Sequence, residues 1–193
     1  MFKRRDFMAA SLAFPAAAAL AATDADVAAL LREGGVVLAL RHAVAPGTFD
    51  PPQFKLDDCS TQRNLSDEGR AQARRIGQWF NARGLQPARV RSSPWCRCVE
   101  TATLAFGAVD KWAALGSPRG ASETTNAESL DELRRAVRQA GMQRGRFEVW
   151  VTHMFVLSDL VATPTGSGEG LVLKVDPSDS AAAMRVLARL PAA

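Results

Sequence analysis

A chain of 193 residues with 47% hydrophobic and 23% charged side chains can bury one domain's core, which excludes a disordered or low-complexity protein. Half of its formal charge of +4 lies in residues 1–21: without them Lys plus Arg falls from 24 to 21, Asp plus Glu from 20 to 19, and the net charge to +2. So small an excess gives no nucleic-acid footprint.

In chain order, the first element is an export signal. Lys3-Arg4-Arg5-Asp6-Phe7-Met8 leads into an apolar, alanine-rich stretch from Phe7 to Leu20, and Ala19-Leu20-Ala21 has the small-x-small pattern of a cleavage site. The paired arginines suit a twin-arginine signal, cleavage falls near Ala21, and the destination is the periplasm. The stretch is shorter than the ~20 residues of a spanning helix, and no later segment comes closer, so stable membrane insertion is not expected. Residues 22–193 then form a single domain.

Asp24 to Glu33 places Val27, Leu30 and Leu31 at helical spacing, and Gly34-Gly35 stops the helix. Val36 to His42, V-V-L-A-L-R-H, is a short apolar run without alternation, as in a fully buried parallel strand, and it ends in Arg41-His42. Ala43 to Arg63 is a long connection with Pro46, Gly47, Pro51, Pro52, Asp57 and Asp58 and no period; connections of that length are commonly functional. Ser66 is an N-cap, with Asp67 and Glu68 in the first turn, for a helix whose stripe is Ala73, Ile76, Gly77, Phe80 and Gly84. Ala88 to Arg91 is a brief strand, and Ser93-Pro94 opens a helix through Phe106 that Gly107 ends.

Trp112 to Leu115 is read as a short strand and Gly116 to Asn126 as a loop. A helix follows from Asn126 or Ala127 to Gly141, with Leu130, Leu133 and Val137 inward. Phe147 to His153 repeats the design of the first strand, a buried run ending in histidine. Phe155 to Val161 is a short helix, Pro164 to Gly170 a turn, Leu171 to Val175 a strand, and Ser178 to Leu190 a terminal helix. Alternating strands and helices predict one three-layer α/β/α domain with a largely parallel central sheet.

The cysteines are Cys59, Cys96 and Cys98. In an oxidising compartment one disulfide and one spare thiol is the simplest arithmetic. Cysteines one residue apart rarely meet disulfide geometry, so Cys59 pairs with Cys96 or with Cys98, the former favoured. A C-x-C pair with no nearby histidine is a poor zinc site, and no metal is expected.

The only two histidines, His42 and His153, stand at the C-terminal ends of probable central strands, where open α/β sheets place ligand sites. Arg41 adjoins His42, Arg97 lies in the first turn of the helix opened by Ser93-Pro94, and Arg63 closes the long loop. Should these ends converge, two imidazoles and up to three guanidiniums form a site for a tetrahedral dianion, matched to arginine forks in charge and shape. A neutral imidazole nitrogen beside a bound phosphoryl group can attack phosphorus.

Four segments carry a family resemblance: Leu40-Arg41-His42-Ala43; Arg63-Asn64-Leu65-Ser66-Asp67-Glu68-Gly69-Arg70-Ala71-Gln72-Ala73; Ser92-Ser93-Pro94-Trp95-Cys96-Arg97-Cys98-Val99-Glu100-Thr101-Ala102; and Val151-Thr152-His153. In this order they resemble the histidine phosphatase superfamily, the phosphoglycerate-mutase-like fold, and within it the small exported branch that includes lipopolysaccharide core heptose phosphatases. The resemblance implies that His42 is the nucleophile that becomes phosphohistidine, that Arg41, Arg63 and Arg97 bind the phosphoryl oxygens, and that His153 is the second pocket histidine. It implies a small phosphorylated substrate, with a cell-envelope sugar phosphate as the class that branch suggests. No cofactor is implied, since arginines supply the charge that a metal supplies elsewhere.

Three positions depart from the family pattern. Ala43 replaces a glycine, Met154 follows the second histidine, and no carboxylate stands where a general acid is usual. Glu123 and Glu169 are the candidate acids in predicted loops, whereas Glu128 and Asp131 fit a helix N-terminal turn. Without an acid the same pocket could serve a non-catalytic periplasmic protein that binds a phosphate ligand, the alternative reading.

Overall fold

The computed structural model describes residues 24–119, 122–175 and 183–193. The export signal lies outside the described residues. Described in chain order are α1 (Asp24–Glu33), β1 (Val36–Arg41), α2 (Asp67–Asn81), β2 (Arg89–Ser92), α3 (Cys96–Phe106), β3 (Asp110–Lys111), α4 (Glu123–Gly141), β4 (Phe147–Thr152), α5 (Met154–Val161), β5 (Gly170–Val175) and β6 (Met184–Leu190).

The strands form one mixed sheet in the order β3-β2-β4-β1-β5-β6. Pairing is parallel from β3 to β1 and antiparallel from β1 through β5 to β6. Strand pleating divides the core in two. Val36, Leu38 and Leu40 of β1 point to one face, where Val27 and Leu31 of α1, Ile76 and Phe80 of α2 and Ala102 of α3 cover them. Val37 and Ala39 point to the other, under Leu133 and Val137 of α4 and Leu157 of α5. The result is the expected three-layer α/β/α sandwich with its sheet buried on both faces.

Ser66 caps α2 as predicted, its hydroxyl accepting from the Gly69 amide at 3.1 Å. Gly77 has a packing role: a Cβ there would stand 2.5 Å from the Ala105 carbonyl, so only glycine lets α2 approach α3 this closely.

Four local expectations are corrected. The terminal helix is instead strand β6, paired antiparallel with β5, and residues 178–182 of the predicted span lie outside the described residues. Alanine, leucine and arginine favour a helix there, but the open edge of β5 offers a ladder of backbone partners, and Ala188 and Leu190 reach the core only from a strand. At Trp112 to Leu115 the strand comes earlier, at Asp110–Lys111, and Ala113–Leu115 is a 3-10 turn that buries Ala114 and Leu115. Helix α4 starts inside the predicted loop, at Glu123, because Ser122 caps it by accepting from the Thr125 amide. Helix α3 begins at Cys96 after an uncapped Trp95, since the Ser93 hydroxyl faces a histidine instead.

The disulfide joins Cys59 to Cys96, with Cα atoms 5.7 Å apart, and leaves Cys98 as a buried thiol. It staples the long loop after β1 to the start of α3. With its ends 37 positions apart along the chain, loop-closure entropy gives it about 3 to 4 kcal/mol of stability. Urea unfolding with and without reductant, or with Cys59→Ser and Cys96→Ser together, should show a loss of that order; an unchanged midpoint would contradict it.

Candidate active site

The parallel pairing of β1 with β4 sets Arg41 opposite Thr152, so the residues that follow, His42 and His153, leave the sheet side by side. The His42 amide donates to the Thr152 carbonyl at 2.9 Å, and the two ring centroids are 5.6 Å apart. Both imidazoles are 2–3% exposed.

Arg97, in the first turn of α3 and 3% exposed, reaches between them. Its Nε donates to His42 Nε2 at 3.3 Å and its Nη2 to His153 Nδ1 at 3.3 Å. Its Nη1 donates to both carboxylate oxygens of Asp50, at 2.8 and 3.1 Å. A guanidinium only donates, so these contacts fix both tautomers. His42 carries its proton on Nδ1, which donates to the Ala43 carbonyl at 2.7 Å and leaves the Nε2 lone pair turned toward Arg97. His153 carries its proton on Nε2, which donates to Ser93 Oγ at 2.8 Å.

Burial, with smaller contributions from Arg97, Arg63 and Arg41, pushes the His42 imidazolium down to about 3 and holds His153 well below its ordinary value. His42 is therefore a neutral base across the physiological range. Unfolded, each imidazole takes up a proton near pH 6.5, whereas the folded chain refuses it until far lower. Between those limits the unfolded state binds more protons, so stability falls as pH drops below 6.5. Urea titrations at pH 7.5 and 5.5 should differ by about 1.4 kcal/mol for each histidine, roughly 3 kcal/mol in all. Equal stabilities would contradict neutral, buried imidazoles.

Arg41 and Arg63 complete one wall. Arg41 Nη1 donates to the Thr165 carbonyl at 2.7 Å, and Arg63 Nη1 donates to the Ala45 carbonyl. The Nε of each is buried without a hydrogen-bond partner among the described residues. Such orphaned donors are costly unless an anion meets them. His42, His153, Arg41, Arg63 and Arg97 all line one cavity of about 210 Å³, which also contains Asp50, Trp95 and Met154.

Neither candidate acid lines that cavity. Glu123 is exposed at the first turn of α4, and Glu169 accepts from the Gly166 amide at 2.7 Å and from Arg189 Nη1 at 2.6 Å, which ties the turn before β5 to β6. The carboxylate inside is Asp50, absent from the sequence reading. Besides Arg97 it accepts from Trp95 Nε1 at 3.1 Å and from the Arg63 amide at 3.0 Å. Its sequence signal is slight: an acid between aromatic and proline residues in the long loop. Thr101 was missed too. One turn beyond Arg97 on α3, its hydroxyl donates to the Arg97 carbonyl at 2.7 Å and accepts from the Ala43 amide at 3.1 Å, which locks the backbone behind the nucleophile position. Cys98 lies beneath His153, Sγ 3.6 Å from Nε2, and burial raises its thiol to about 12, which makes it unreactive.

The cavity presents a lone-pair nitrogen, three guanidiniums and a second imidazole to a single point, an arrangement suited to accepting a tetrahedral oxyanion and attacking it. Residues 39–116 match the sequence model of the Histidine phosphatase superfamily (branch 1). Among curated proteins no sequence match was found. Among solved structures, the protein histidine phosphatase SixA complexed with tungstate aligns with a TM-score of 0.57 at 18% identity, over 81% of this chain and 96% of its own. Mycobacterial hydrolase 1 aligns with a TM-score of 0.60 at 17% identity, over 82% of this chain and 99% of its own. Mycobacterial glucosyl-3-phosphoglycerate phosphatase aligns with a TM-score of 0.54 at 17% identity, over 82% of this chain and 99% of its own. At these identities the likeness establishes a shared fold.

Proposed function

We propose that the chain is a member of the histidine phosphatase superfamily, whose model residues 39–116 match, and that it is a phosphatase that works through a phosphohistidine on His42. The observation that carries this reading is the His42 ring, with Nδ1 tied to the Ala43 carbonyl, Nε2 unprotonated, and Arg97 holding Nε2 toward the cavity.

A substrate phosphoryl group enters with its oxygens toward Arg41, Arg63 and Arg97. His42 Nε2 attacks phosphorus; the N–P bond forms as the bond to the leaving oxygen breaks, and the leaving group takes the electron pair. Water then cleaves the N–P bond, which releases phosphate and restores the imidazole. His153, across Arg97 from the nucleophile, accepts from Arg97 Nη2 through Nδ1 and donates to Ser93 Oγ through Nε2, which holds in place the guanidinium that meets charge on the phosphoryl oxygens. Asp50 orients Arg97 through its two-pronged contact and thereby sets the direction of the Nε–His42 hydrogen bond.

The charge on the phosphoryl group is met by side chains, so turnover needs no added metal. Assay of an aryl phosphate in excess chelator should show steady hydrolysis. Vanadate binding without hydrolysis of any phosphomonoester would replace this reading with that of a phosphate-ligand binding protein.

We further propose export to the periplasm. The basic-then-apolar N-terminus and the Ala19-Leu20-Ala21 pattern support it, and a Cys59–Cys96 disulfide suits an oxidising compartment. The substrate is a small phosphorylated molecule. Among the described residues no helix is long and apolar enough to cross a membrane.

A further inference from the structure

We propose that the leaving group is aromatic: the site takes a small aryl phosphomonoester, whose ring lies on the Phe49–Phe155 pair at the mouth of the cavity. This rests on the phosphatase reading of the site and names its substrate class.

Two independent features point this way. The first is the mouth itself. Phe49, on the long loop, and Phe155, on α5, stack with centroids 6.3 Å apart and planes within 6° of parallel. The Arg119 guanidinium sits 4.2 Å over the Phe155 ring. Phe49 is 65% exposed, an unusual placement for a phenylalanine and one that leaves a flat apolar face beside the phosphate site. Pro51, Pro52, Phe54 and Met154 continue that surface. A sugar would find few partners for its hydroxyls along this rim: the hydroxyls of Thr48 and Ser117, and the Arg119 guanidinium, which is already seated over Phe155. An aromatic ring needs none of them and gains by stacking.

The second feature is the state of the carboxylate. Asp50 is the one acid among the residues lining the cavity, and both its oxygens accept hydrogen bonds, from Arg97, Trp95 and the Arg63 amide. A carboxylate so committed to positioning Arg97 is not available to protonate a departing alkoxide. A phenolate departs without that help, because its negative charge is spread over the ring and is far less basic than an alkoxide's. The shape of the rim and the chemistry of the interior select the same leaving group.

Binding of phenylphosphonate and methylphosphonate to the intact chain separates the ring from the phosphoryl group, since neither can be hydrolysed. The phenyl compound should bind about tenfold or more tighter. That ratio should fall to about two or less in the Phe49→Ala, Phe155→Leu double variant. Phe49 is exposed and leucine keeps the apolar volume of Phe155, so the fold is preserved. Equal binding of the two phosphonates by the native chain, or a ratio unmoved in the variant, overturns this inference and leaves the phosphatase reading standing. If neither phosphonate nor vanadate binds, the phosphate site itself is refuted and the inference falls with it. Phenyl phosphate and a phosphotyrosyl peptide carry the same recognised unit; faster hydrolysis of the free compound supports a small-molecule substrate, and faster hydrolysis of the peptide overturns that part of the proposal.

Discussion

Replacing His42 with alanine is expected to lower hydrolysis of an aryl phosphate by about 10⁴-fold or more, with vanadate still bound by the remaining arginines. The size follows from the role: without Nε2 no covalent intermediate forms, and water must attack the substrate phosphorus directly, with no nucleophile held in line. Residual rate would come from Arg41, Arg63 and Arg97, which still stabilise charge on the phosphoryl oxygens. The substitution also removes the Nδ1–H bond to the Ala43 carbonyl, so the native near-ultraviolet circular dichroism should be checked alongside. A variant with native fold and native rate would remove His42 from the chemistry.

Arg97→Lys should cost about 10²- to 10³-fold in turnover while keeping the charge. The guanidinium spans His42, His153 and Asp50 with three different nitrogens, and an ammonium at the end of a flexible stem cannot hold three partners in that plane. The loss should fall mainly on kcat, since the lost contacts orient the nucleophile and meet charge that grows only in the transition state. Arg97→Ala is a harsher test, because it strands the Asp50 carboxylate, 9% exposed, without its cation; about 3 kcal/mol of stability should go with it. If Arg97→Lys hydrolyses the substrate at the native rate, the bridging geometry is not what the reaction uses.

The strand ends are the most legible part of the site in the sequence. Val36 to Arg41 and Phe147 to Thr152 are buried on both faces, so their apolar runs were readable, and each hands a histidine to the same edge of the sheet. That edge brings together His42, His153, Arg41, Arg63 and Arg97 in one cavity. What the sequence hid is what depends on partners distant along the chain. Asp50 looks like a solvated loop acid until Arg97, 47 positions later, folds over it. Residues 184–190 carry helix-forming side chains and become a strand only because β5 presents an open edge. Ser93 resembles a helix cap, yet its hydroxyl serves His153, 60 positions away. Glu123 and Glu169 stood out as loop acids; the first is a helix terminus and the second is paired with Arg189.

The covalent intermediate is the most direct test. Rapid alkaline quench of the chain during turnover of an aryl phosphate, followed by peptide mass spectrometry, should find a phosphoryl group that is stable to base and labile to acid, on the peptide that contains His42 and absent from the one that contains His153. Phosphate on His153, or turnover with no phosphorylated histidine at any quench time, would contradict the account.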